Sequence, residues 1–173
     1  MRDLLDKRAI EHAARTTVAA MASLLIAREC RLPEAYWAVI TTIVVMQATV
    51  GAALLISTRR LAGTALGAAM GALLATYFGP NLLAFGAGLF LLGVICAALG
   101  RAYGPLQEHL DRTAYRFAGI TLAITMLIVR PRAPWVIAVH RFIEVSIGIA
   151  VGLIMTVLWP ERQDQPTTGQ GVL

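Results

Sequence analysis

Two ionisable residues sit inside one of the most apolar stretches of this chain. Arg141 and Glu144 lie three apart within the segment between Trp135 and Trp159. On a helix that spacing puts both on one face, where they can pair. A rise of 1.5 Å per residue places Arg141 roughly 9 Å past Trp135 and Glu144 one turn further on. Charges at such depth in a lipid bilayer are costly, and they face a protein interior or water. Arg141 would then attract an anion, and Glu144 would hold it in place or exchange a proton. The competing expectation is a helix that starts later, with both groups reaching back to the surface. His140 adds a proton site or a plain interfacial imidazole.

Three further arginines fall near the ends of apolar runs: Arg15, Arg60 and Arg116. Together they would form an electropositive vestibule of the kind that admits anions. As isolated residues they would only anchor helix ends on the cytoplasmic side. Gln47, with Thr41, Thr42 and Thr49, offers uncharged polar contacts to a solute or between helices. Gly63, Gly67 and Gly71 form a ridge of small residues at helical spacing, and Gly148 and Gly152 repeat it. Such ridges bring helix backbones together in lipid, where tails compete with apolar side chains.

No catalytic constellation accompanies them. The chain has no Gly-x-Ser-x-Gly elbow, no His-Glu-x-x-His and no phosphate-binding Gly-x-x-x-x-Gly-Lys loop. Cys30 and Cys96 match no metal spacing. The expectation is no enzyme, no cofactor and no metal. The formal charge of +5 sits at helix ends, where membrane topology accounts for it, so nucleic acid is not an expected partner.

The elements that hold these residues are transmembrane. Of 173 residues, 58% are hydrophobic and 14% charged, against about 25% charged in soluble domains. Residues 61–78 and 82–100 carry no charge at all. Runs of roughly 18 apolar residues read as bilayer-spanning helices, and these do not alternate as barrel strands do. The lipid bilayer is thus the first partner. The expected architecture is all-α, with six transmembrane helices at 12–27, 37–56, 61–78, 82–99, 113–129 and 134–160. Residues 1–11 form a cytoplasmic N-terminal segment, 12–160 the membrane domain, and 161–173 a short disordered tail. Gly79-Pro80-Asn81 marks a turn, and Pro134 suits a first helical turn. Ten of the 15 basic residues fall on one side, which predicts both termini in the cytoplasm.

The two halves share a pattern. Arg60 is followed by Gly67 and Gly71, and Arg141 by Gly148 and Gly152, in each case Arg-x6-Gly-x3-Gly at the third helix of a half. Three helices per half is an odd number, so the second half enters from the opposite face. The expected plan is a three-plus-three inverted repeat, with the pathway at the repeat interface.

The stretch 36–75 resembles the signature of the aromatic acid exporter superfamily. That group includes the fusaric acid resistance (FUSC) proteins and the plant aluminium-activated malate transporters. The resemblance lies in Trp37-Ala38, in Val50-Gly51-Ala52, and in Arg60, Gly63, Thr64 and Gly67. The segment RFIEVSIGIAVGLIMTVLWPERQ looks like the family's sixth helix, with Arg141, Gly148 and Pro160. The resemblance implies six helices per membrane domain, a homodimer as the working unit, and export of organic anions such as aromatic carboxylic acids. It implies a bacterial inner membrane location and leaves open a periplasmic partner protein. A passive anion channel and a non-transporting membrane scaffold are the alternative readings.

Overall fold

The computed structural model describes residues 7–47, 49–103, 108–128 and 131–160. They form six helices: α1 (Lys7–Glu29), α2 (Tyr36–Val45), α3 (Val50–Phe78), α4 (Leu82–Tyr103), α5 (Glu108–Leu127) and α6 (Pro134–Leu158). Among the described residues there is no strand. The tail 161–173 and the Gly104-Pro105 turn lie outside the described residues.

Helix boundaries differ from expectation most around residues 46–49. The sequence predicts one helix to residue 56 and another from 61. The chain instead breaks after Val45 and restarts at Val50 as a helix of 29 residues. Met46 is extended, and Thr49 caps α3 by accepting a hydrogen bond from the Ala52 N–H at 3.2 Å. Hydroxyl caps of this kind satisfy an otherwise orphaned donor. The break has no glycine or proline to announce it, so the apolar run hid it. Arg59 and Arg60 therefore lie inside α3, not at its start. At the other end of α3, Gly79 takes φ +61°, which suits a residue without Cβ. Asn81 then starts α4, its Oδ1 accepting from the N–H groups of Leu83 and Ala84. The N-terminal helix begins at Lys7, earlier than predicted, and α5 begins at Glu108.

Glycines set how the helices meet. A Cβ on Gly67 would fall 2.8 Å from the Ala118 Cα, and one on Gly71 would fall 2.8 Å from the Thr125 Cβ. The α3 and α5 backbones therefore touch, and the two helices run parallel. A Cβ on Gly148 would lie 2.6 Å from the Thr41 Cβ, and one on Gly152 would lie 3.1 Å from a Val45 methyl. So α2 and α6 also run parallel. Consecutive helices thus alternate in direction. The third helix packs on α5 and α6, α4 packs on α5, and α1 packs on α2 and α6.

Three segments are long and apolar enough to cross a bilayer: α3, residues 82–99 of α4, and α6. The apolar helices at Tyr36–Val45 and Thr113–Leu127 are shorter. Large apolar side chains such as Leu83, Phe90 and Leu158 point outward and are exposed. In lipid that surface is solvated by tails, so it needs no protein cover.

Candidate anion-binding site

The second turn of α6 carries Arg141, only 2% exposed. Its guanidinium lies over the Trp37 ring, 3.3 Å from the centroid. Cation–π contact of this kind is worth more when desolvated. One turn further along α6, Glu144 is 1% exposed and approaches Arg141 Nη1 at 3.7 Å. That distance is an ion pair but too long for a hydrogen bond. Glu144 Oε1 accepts from the Glu34 backbone N–H at 3.1 Å. Glu34 Oε2 in turn accepts from the Trp37 indole N–H at 3.2 Å. The four residues close a ring: Arg141 on Trp37, Trp37 to Glu34, Glu34 to Glu144, Glu144 to Arg141.

Two donors in this ring are unspent. Arg141 Nε and Nη1 are buried and make no hydrogen bond. Buried polar groups without partners are rare and call for a reason. Beside them is a cavity of about 260 Å³, lined by Pro33, Glu34, Pro131, Arg132, Ile137, His140, Arg141 and Glu144. The buried Nδ1 of His140 also lacks a hydrogen bond. An incoming carboxylate would meet the Arg141 guanidinium at the wall of this cavity. Forked N–H donors suit a planar carboxylate.

Arg60 lies one turn away along α2. Its Nε donates to Thr41 Oγ1 at 3.2 Å, and its guanidinium lies 4.7 Å from the centroid of Phe117. Thr41 donates back to the Trp37 carbonyl at 2.8 Å. One turn of α2 thus joins the two arginines, which are near enough for each to act on the other's charge.

Arg15 is buried as well, but it does different work. It donates to the Trp159 carbonyl at 2.9 Å and to the Gln47 carbonyl at 2.6 Å. These are backbone groups at the end of α6 and at the α2–α3 break, which have no helical partner of their own. The Gln47 amide donates locally to the Val44 carbonyl. Arg116 is exposed on α5. The structure therefore brings Arg60, Arg141, Glu144 and His140 together. Arg15 and Gln47 lie at another level, and Arg116 faces outward.

In the sequence, Trp37 stands out only as part of the family resemblance, and Thr41 only as a general polar contact. Glu34 was missed. The available signal was a carboxylate two residues before Tyr36-Trp37, in a loop otherwise marked by Pro33. Phe117 gave no polar signal at all.

A bundle of direction-alternating helices with an apolar exterior and a buried charge cluster defines a multi-pass helical membrane protein. Residues 9–171 match the fusaric acid resistance protein family, and the chain belongs to that family. It is similar to the uncharacterized transporter YdhK of Escherichia coli K12. That protein is 33% identical over 159 residues, covering 88% of this chain and 23% of the relative. The protein of the same name from Salmonella typhimurium LT2 is 32% identical over 161 residues, covering 88% of this chain and 22% of the relative. The chain thus spans less than a quarter of the length of these relatives. No solved structure matches it.

Proposed function

We propose that this chain moves organic anions across the bacterial inner membrane, with Arg141 as their binding group near the outer face. The observation that carries this reading is Arg141 itself, which lines the 260 Å³ cavity and keeps two buried donors without a hydrogen bond. Membership of the family and the transporter name of the relatives support it. The family's own description supports an aromatic acid as substrate, and the Trp37 ring beside Arg141 suits one. The positive-inside bias supports cytoplasmic termini, which puts the cavity outside.

Glu144 serves as the exchange group in this reading. When ionised, it neutralises Arg141 and competes with a substrate carboxylate. When it takes up a proton, Arg141 is released to bind the anion. Protonation and anion binding therefore assist each other. The charged and titratable groups facing Glu144 are Arg141 and His140 on α6, Glu34 before α2 and Arg132 before α6. A proton on His140 acts in the same direction, because it adds positive charge beside Arg141. In this reading the proton is taken from and returned to the outer side, so it tunes binding at the cavity and does not cross the membrane with the anion. Export then draws on the inside-negative potential, about 2.3 kcal/mol per charge per 100 mV. Ionised Glu144 displaces the anion outward.

Proteoliposomes loaded with benzoate test this reading. An imposed inside-negative potential should drive efflux, and Arg141→Gln should lower it about tenfold or more. Benzoate binding should strengthen as pH falls through the range where Glu144 titrates, and Glu144→Gln should remove that dependence. Efflux unchanged in Arg141→Gln would overturn the assignment.

A further inference from the structure

The buried arginine on α3 has a counterpart on α6, and the surroundings match. Arg60 lies over Phe117 of α5, and Arg141 lies over Trp37 of α2. Gly67 meets the Ala118 carbonyl of α5, and Gly148 meets the Ala38 carbonyl of α2. Gly71 meets Thr125, and Gly152 meets Val45. The helix pairings follow the same exchange. The α3–α5 contact answers α6–α2, the α4–α5 contact answers α1–α2, and α3–α4 answers α6–α1.

One position breaks the match. Three residues after Arg141 stands Glu144. Three residues after Arg60 stands Gly63. Gly63 is packed so closely on α5 that a Cβ there would lie 2.9 Å from the Phe117 Cβ, so no carboxylate fits. Among the described residues, Arg60 has no acidic partner. At 6% exposed, it holds one hydroxyl and one aromatic face. A buried cation with so little compensation is costly unless an anion completes it.

From this we infer that Arg60 is a second anion station, the counterpart of Arg141 across an internal inverted repeat, and that it holds an organic carboxylate more firmly than Arg141 because no carboxylate of the chain competes for it. This rests on the reading of Arg141 as an anion site. The anion reaches Arg60 when Phe117 moves aside. It then passes to Arg141, where Glu144 displaces it. The asymmetry between Gly63 and Glu144 thus favours capture at Arg60 and release at Arg141.

The test is equilibrium binding of radiolabelled benzoate to the full chain in lipid nanodiscs at neutral pH. Wild type should bind one benzoate per chain. That binding should weaken about tenfold or more in Arg60→Gln, return in part in Arg60→Lys, and stay within about twofold in Arg141→Gln. Glu144→Gln should add a second benzoate, and Arg141→Gln in that background should remove it. Circular dichroism of Arg60→Gln should show helical content unchanged from wild type, which separates lost binding from misfolding. Binding that survives Arg60→Gln but vanishes in Arg141→Gln would overturn the inner station and leave the outer site standing. Binding that survives both substitutions, or none at all in wild type, would sink both readings.

Discussion

Arg15 and Arg141 are equally buried, each 2% exposed, yet they have opposite characters. Arg15 points its terminal nitrogens at two backbone carbonyls, those of Trp159 and Gln47. Arg141 stands on an aromatic ring, pairs loosely with Glu144 and leaves two donors unused at a cavity wall. Depth alone therefore does not separate a structural arginine from a binding one. The partners do. Fixed carbonyls at helix ends hold both terminal nitrogens of Arg15, because backbone groups in lipid must be satisfied within the protein. Unspent donors beside a cavity remain available to a solute.

The sharpest way to break that contrast is to remove Arg15. Arg15→Met leaves the Trp159 and Gln47 carbonyls without this donor. At about 1–3 kcal/mol for each buried group left unsatisfied, stability should fall by roughly 2–6 kcal/mol. A thermal melt of the purified chain in detergent measures it, and flux should fall only as folded protein is lost. A melt unchanged by the substitution would mean that the clamp holds nothing. Gly67→Ala comes next. Its new Cβ would press on the Ala118 backbone, which cannot yield as a flexible side chain can. The expected loss is about 1–3 kcal/mol, read in the same melt. It calibrates what damage to packing alone does to flux.

The number of helices and their apolar character were legible in the sequence, because runs such as 61–78 and 82–100 leave no other reading. So was the use of Gly67, Gly71, Gly148 and Gly152 as contact points, since small residues at helical spacing have few other uses in lipid. The α2–α3 break was not legible. Met46 and Gln47 look like helix interior, and the forces that end α2 come from elsewhere: the Thr49 cap and the reach of Arg15 from α1. The Arg141–Glu144 pair was legible because it is local, at three-residue spacing. Trp37, Glu34 and Phe117 were not, because they come from other helices and loops and only tertiary packing places them against the arginines.

Arg141→Gln combined with Glu144→Gln separates the two arginines most directly. It removes the buried pair as a whole, and replacing such a pair is often neutral or stabilising. The melt should move by no more than about 1 kcal/mol, while benzoate efflux falls about tenfold, equivalent to about 1.4 kcal/mol. The reverse pattern, with stability lost and efflux kept, would make Arg141 a clamp like Arg15.

Arg116 supplies the smallest expected effect and the cleanest control. It was grouped with Arg15 and Arg60 on sequence grounds, as a third basic residue near a helix end. It is exposed on α5, although its neighbour Phe117 carries Arg60. Arg116→Gln should change stability by less than about 0.5 kcal/mol, as surface substitutions do. If anions are drawn by net positive charge at the membrane surface, efflux should fall here, and the deficit should shrink at high ionic strength, where screening strengthens. If they are held by buried donors, efflux should be unchanged at every salt concentration. The second outcome follows from the contrast between Arg15 and Arg141, because a guanidinium already exposed has no unmet need for an anion.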